Sequence, residues 1–89
     1  MKNFLLKEKE HLGGTQRIYK FPNGFGASVV QSPFSYGGRV GLWELAMVEF
    51  IDDEKYELVY NDIVEGDVLG YLTESEVEEV LEKIKNFSF

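Results

Sequence analysis

Residues 22–50 read PNGFGASVVQSPFSYGGRVGLWELAMVEF. Pro22-Asn23-Gly24 suits a hairpin turn: Pro fits position i+1 and Asn position i+2 of a type I turn, and Gly24 can take the left-handed conformation of a G1 bulge. Before the turn, Gln16 to Phe21 alternates, with Arg17, Tyr19 and Phe21 on one face and Gln16, Ile18 and Lys20 on the other. After it, Phe25 to Gln31 places Phe25, Ala27 and Val29 on one face. A three-residue loop sets Phe21 near Phe25 and Tyr19 near Ala27, so the aromatic faces coincide.

Beyond this hairpin, Ser32 to Gly38 is rich in Pro, Gly and Ser and cannot be a strand interior. Val40 to Ile51 then reads as a long strand. One face carries Leu42, Glu44, Ala46, Val48 and Phe50, and the other Trp43, Leu45, Met47, Glu49 and Ile51. Both faces are partly apolar, which places this strand in the middle of a sheet. Asp52-Asp53-Glu54 makes a polar turn into a further strand over Lys55–Tyr60. Residues 4–10 fit either a short helix or an edge strand, and Gly13-Gly14 ends that segment. Asp62–Tyr71 reads as a connector with one helical turn at Asp67–Gly70.

The C-terminal helix announces itself at both ends. Thr73 and Glu76 have the spacing of a capping box, and Leu72 and Val77 that of a hydrophobic staple. Val77, Val80, Leu81 and Ile84 follow the i, i+3, i+4, i+7 spacing of a buried stripe, extended by Phe87. Glu74, Glu76, Glu78 and Glu79 come early and Lys83 and Lys85 late, which complements the helix dipole. The expected fold is α+β: one domain over residues 1–89, with an antiparallel sheet of about four strands over residues 16–60. A connector at 61–72 leads to a helix over 73–87 packed on one face. The expected core is Tyr19, Phe21, Phe25, Val29, Leu45, Val48, Leu58, Val77, Val80, Leu81 and Ile84.

The chain has 89 residues, enough for one domain. A domain so small hides only about 60–65% of its unfolded surface, and the 15% aromatic content helps fill its core. It has no cysteine, which excludes disulfides, thiolate zinc sites and a cysteine nucleophile. Met1 to Leu6 offers too few apolar residues for a signal-peptide core, and no stretch approaches membrane-span length. The expectation is a soluble cytoplasmic protein with no membrane association. A formal charge of −7 opposes direct binding to nucleic acid, which needs Lys and Arg against phosphates.

No motif marks an enzyme. Gly24-Phe25-Gly26-Ala27-Ser28-Val29 begins like a dinucleotide fingerprint but ends in Val and lies in a hairpin. Asn61, Ile63, Glu65 and Gly66 imitate a calcium loop, but position 3 is apolar and position 12 falls on Leu72. Asn86-Phe87-Ser88 is a glycosylation sequon only on paper. His11 is the sole histidine and has no partner for a zinc site. The sixteen acids single out no catalytic pair, and the helix glutamates are most simply a solvated face. No cofactor, metal or catalytic residue is expected.

One place suits a ligand or partner. Within residues 32–43, Phe34, Tyr36 and Trp43 can present aromatic surface, and Arg39 can hold an anionic group. Gly37 and Gly38 let backbone approach closely. The simpler reading of the same residues is that the aromatics fold back onto the sheet and Arg39 is solvated.

With these segments in place, a resemblance appears. The run FPNGFGASVVQSPFSYGGRVGLWELAMVEF, followed by GDVLGYLTESEVEEVLEKI, resembles a set of small uncharacterised proteins carried by bacteriophages and prophages. In these, NGYGASVV is followed by a YGG loop, GLWELAVL and a DVIGYLTEEEV helix entry. The similarity spans about Tyr19 to Ile84 and departs at Ile63-Val64-Glu65-Gly66-Asp67. The resemblance implies a phage or mobile-element origin and supplies no activity and no site residues.

Two function classes follow as expectations. The first is a non-enzymatic binder of a host or phage protein, an inhibitor of a host defence system being one form. The second is a small-ligand or nucleotide binder with the 32–43 loop as its lip. Ile18, Val30 and Val59 join the long strand in a second apolar face that one helix cannot cover; a second copy of the chain, in a homodimer, is the favoured cover, with the segment Phe4–Leu6 or the 32–38 loop as alternatives.

Overall fold

A computed structural model describes residues 2–59 and 68–88. A 3₁₀ turn at Lys2–Phe4 leads into β1 (Leu5–His11), β2 (Gly14–Lys20) and β3 (Phe25–Gln31). A second 3₁₀ turn at Gly38–Val40 precedes β4 (Trp43–Phe50) and β5 (Tyr56–Leu58). Strand β6 (Leu69–Leu72) then runs directly into α1 (Glu74–Lys85). The sheet is antiparallel with order β1-β2-β3-β4-β5, and β6 pairs with β4 beside β5. Among the described residues the fold is α+β with one C-terminal helix, and the sheet has six strands where about four were expected.

The central hairpin forms as its turn chemistry dictates. Gly24 donates to the Phe21 carbonyl at 3.1 Å and takes φ +89°, while Phe21 donates to Phe25 at 2.8 Å. This is a type I turn closed by a left-handed glycine. Tyr19 pairs with Ala27 as the alternation required. The hairpin continues outward through a turn that the sequence concealed. Leu12 and Gly13 both have positive φ, +49° and +82°, so β1 and β2 are joined by a two-residue turn with His11 opposite Gly14. The ambiguous segment 4–10 is therefore an edge strand.

Four boundaries differ from expectation. The long strand begins at Trp43, not Val40, because Gly37 and Gly41 are both left-handed and wind Gly38–Val40 into a 3₁₀ turn. The strand after the acidic turn is only Tyr56–Leu58, and Tyr60 lies outside the described residues. Leu69 and Gly70, expected within a helical turn, instead begin β6; the rest of the expected connector, from residue 61 through Asp67, also lies outside them. The helix ends at Lys85, and Phe87 packs beyond it on Phe25, edge to face at 5.1 Å.

The main core lies between the sheet and α1. Tyr19, Phe21, Phe25, Ala27, Val29, Trp43, Leu45 and Met47 face Val77, Leu81 and Ile84. The capping box is present: Glu76 donates its N–H to Thr73 Oγ1 at 3.1 Å, and Thr73 donates to Glu76 Oε1 at 2.9 Å. One expected core residue, Leu58, is exposed, and Val48 is fully buried as expected but on the opposite face of the sheet.

Much of that opposite face is also buried within the chain, although Leu58, paired with Val48, is exposed. Ile18 and Val48 are 0% exposed and Val30 is buried. The Lys20 ammonium lies 5.2 Å from the Phe50 ring centre and 3.1 Å from Asp53 in the β4–β5 turn. Phe50 in turn packs on Tyr56 at 5.4 Å. The turn is held by Asp52, whose Oδ1 accepts the N–H groups of Glu54 and Lys55, each at 2.8 Å. Those bonds hold the Asp52 carboxyl below its ordinary pKa. Of the residues from which a homodimer was expected, Ile18 and Val30 are buried within the same molecule, and Val59 packs partly buried against the helix-side core.

Candidate functional site

The loop between β3 and β4 is built by its own polar groups. Ser35 Oγ accepts the Ser32 N–H at 2.9 Å and donates to the Ser32 carbonyl at 3.0 Å. Ser32 Oγ accepts the Phe34 N–H at 3.2 Å. Gly38, Val40, Gly41 and Leu42 each donate to a carbonyl three to five residues back. Arg39 Nε donates to the Pro33 carbonyl at 3.1 Å, and Glu44 Oε1 accepts the Tyr36 N–H at 3.0 Å. Local bonds satisfy the backbone, so its side chains are free to face outward.

They do so. Phe34 is 76% exposed, Tyr36 61% and Val40 71%. Tyr71, 63% exposed, joins them from β6. Its N–H donates to the Tyr36 carbonyl at 3.1 Å, and a Cβ on Gly37 would stand 2.9 Å from its Cα. Gly37 is therefore required twice, for its φ of +92° and for this close approach.

Tyr71 reaches the surface through a bulge. Trp43 pairs with Leu72 and Leu45 with Leu69, so three steps on β6 match two on β4. The extra residue lets Leu69 and Leu72 both pack on the core while Tyr71, at φ +57°, turns out. Left-handed backbone in a bulky residue is strained, and bulges commonly re-aim a side chain at a site. Sequence reading missed Tyr71 because a bulge leaves no periodic signal; the neighbouring Gly70 was its only trace.

Of the expected site residues, Phe34, Tyr36, Gly37, Gly38 and Arg39 share this loop, and the first two are displayed, not folded back. Trp43 is a correction. It starts β4 on the core face and is buried, because alternation along the strand pairs it with Leu45 and Met47. The Arg17 guanidinium covers its ring at 4.4 Å and bonds Glu8 at 2.8 Å and Glu74 at 3.5 Å, joining β1, β2 and α1. Burial opposes the charge on Arg17, but Glu8 and Glu74 outweigh it and raise its pKa above the ordinary value. Burial also raises that of the Tyr19 hydroxyl.

A depression of about 140 Å³ lies beside the patch, lined by Pro33, Ser35, Gly37, Arg39, Val40 and Tyr71. Among the described residues, no group of three or more His, Asp or Glu is placed to hold a metal ion. No helix among them is long and apolar enough to cross a membrane. No protein-family model, curated protein or solved structure matches the chain.

Proposed function

We propose that this is a non-enzymatic protein-binding domain that docks a partner through Phe34, Tyr36, Val40 and Tyr71, with Arg39 at the rim. The observation that carries this reading is the display of four large side chains on a loop and a bulge already held in shape. Ordering a loop costs free energy on binding, and a preformed loop avoids that cost. Phe, Tyr and Arg are also the residue types enriched at interface centres. Arg39 supplies a cation for a carboxylate of the partner. The resemblance to phage and prophage proteins supports a host or phage protein as that partner, a component of a host defence system being one form.

The small-ligand reading has less support. The depression beside Arg39 is about 140 Å³, below the roughly 300 Å³ at which ligand pockets usually begin. Of Tyr36 and Trp43, either of which was to stack on the ligand, Trp43 is in the core.

Affinity capture from a bacterial lysate, run in parallel with the triple variant Phe34→Ser, Tyr36→Ser, Tyr71→Ser, tests the reading. These side chains are exposed, so each substitution is expected to change stability by no more than about 0.5 kcal/mol. A protein held by wild type and lost by the variant is the expected outcome. A partner retained equally by both, or a small molecule found bound by native mass spectrometry with no protein captured, overturns it.

A further inference from the structure

Strand β1 ends the sheet, and its outer edge pairs with no other described strand. Residues Lys7 to Glu10 are all exposed. Their register assigns each to a face. Glu8 lies opposite Arg17 and Glu10 opposite Thr15, on the side that α1 covers. Lys7 lies opposite Ile18 and Lys9 opposite Gln16, on the other side. The edge is thus acidic on one face and basic on the other.

The backbone is equally determined. A two-residue turn makes His11 and Gly14 a hydrogen-bonded pair, and such pairs alternate along an antiparallel ladder. Lys7 and Lys9 therefore direct their N–H and C=O groups to β2. Glu8 and Glu10 direct theirs outward, where an incoming strand would bond them.

We propose that the β1 edge is a strand acceptor that selects for alternating charge. It takes an extended segment of another protein that sets cations opposite Glu8 and Glu10 and anions opposite Lys7 and Lys9. It refuses a folded copy of this chain. The refusal follows from symmetry. Two folded copies can join β1 to β1 antiparallel only about a two-fold axis normal to the sheet. That axis keeps every side chain on its own face. Each register then sets Glu against Glu and Lys against Lys, and like charges directly opposite one another are destabilising. This is how charge on an edge strand prevents self-association.

A free segment escapes the restriction because both of its edges are available. It can turn over, which puts Lys where a folded copy would put Glu. Read antiparallel, the matching order is again Lys-Glu-Lys-Glu. A free peptide of residues 5–12, LLKEKEHL, is therefore a complementary probe, while LLKKEEHL, the same residues with the charges in blocks, matches at most two of the four positions in any antiparallel register. This surface is separate from the aromatic patch and does not depend on it.

The test is an NMR titration of the whole protein with each peptide, read at the Glu8 and Glu10 amides by chemical shift and hydrogen exchange. The expected result is protection of these two amides by LLKEKEHL, with binding about tenfold tighter than for LLKKEEHL, since at least two favourable cross-strand pairs are lost. The difference should shrink as salt is added. Glu10→Pro removes an outward N–H while leaving the bonds to β2, and should weaken binding of the first peptide. Equal affinity for the two peptides, or no response of the Glu8 and Glu10 amides to either, overturns the proposal. So does a dimer of the unmodified protein that Glu10→Pro abolishes.

Discussion

Asn23 turns the central hairpin and also ends the helix, 61 residues further along the chain. Its Nδ2 donates to the carbonyls of Ile84, Lys85 and Phe87 at 2.8, 3.1 and 3.0 Å, and its Oδ1 accepts the Phe25 N–H at 3.0 Å. The last carbonyls of a helix lack internal partners, and a side-chain amide replaces them here. Asn23→Ala should cost about 1–2 kcal/mol, since several acceptors lose their donor at once. Asn23→Asp should be no better, because a carboxylate cannot donate and faces the negative end of the helix dipole. Urea unfolding followed at the helix band measures both. An aspartate as stable as wild type would show that the turn alone needs this residue. The turn role was readable locally from Pro22-Asn23-Gly24; the capping role was not, because its acceptors belong to a distant element.

At the scale of elements, legibility followed the range of the interactions. Helix α1 was readable because its cap, staple and stripe all lie within fourteen residues of one another. Strands β2 and β3 were readable because one turn sets their register. The β1–β2 turn was hidden: Gly13-Gly14 looked like a break, yet the turn residues are Leu12 and Gly13. A leucine at φ +49° carries no turn signature. Left-handed backbone costs a branched residue about 1 kcal/mol that asparagine largely avoids. Leu12 is exposed, so nothing in the core is lost on replacing it. Leu12→Asn, which creates the favoured Asn-Gly turn, should therefore stabilise the protein by about 0.5–1 kcal/mol. The midpoint of urea unfolding checks it, and a lower midpoint would mean that the Leu12 side chain has packing worth more than the strain.

For the molecule as a whole, the decisive feature is a sheet with buried apolar residues on both sides. Ile18 and Leu81 are each 0% exposed, one on either side of the sheet. Truncating either to alanine should cost about 2–5 kcal/mol. The loss at Ile18 should be the same at all protein concentrations, because its cover comes from the same chain. A second face completed by another copy would instead make the unfolding midpoint rise with concentration. Thermal unfolding of Ile18→Ala and Leu81→Ala over a hundredfold range of concentration separates the two cases.

What the sequence determined by itself was whatever neighbours along the chain decide: the Pro22–Gly24 hairpin, its aromatic face and the capped helix. It also marked the 32–39 loop as too rich in Pro, Gly and Ser for a strand. Tertiary structure decided which face of β4 meets the helix, and so sent Trp43 inward and left Phe34 and Tyr36 outside. It made β6 from a stretch with no alternation, because a bulge lets Leu69 and Leu72 reach one core while Tyr71 turns out. It set Lys20 against Phe50 and Asp53, residues far apart in sequence. The physical reason is common to all three. Alternation along a strand says which residues share a face, but only the packing of the other elements says what that face meets.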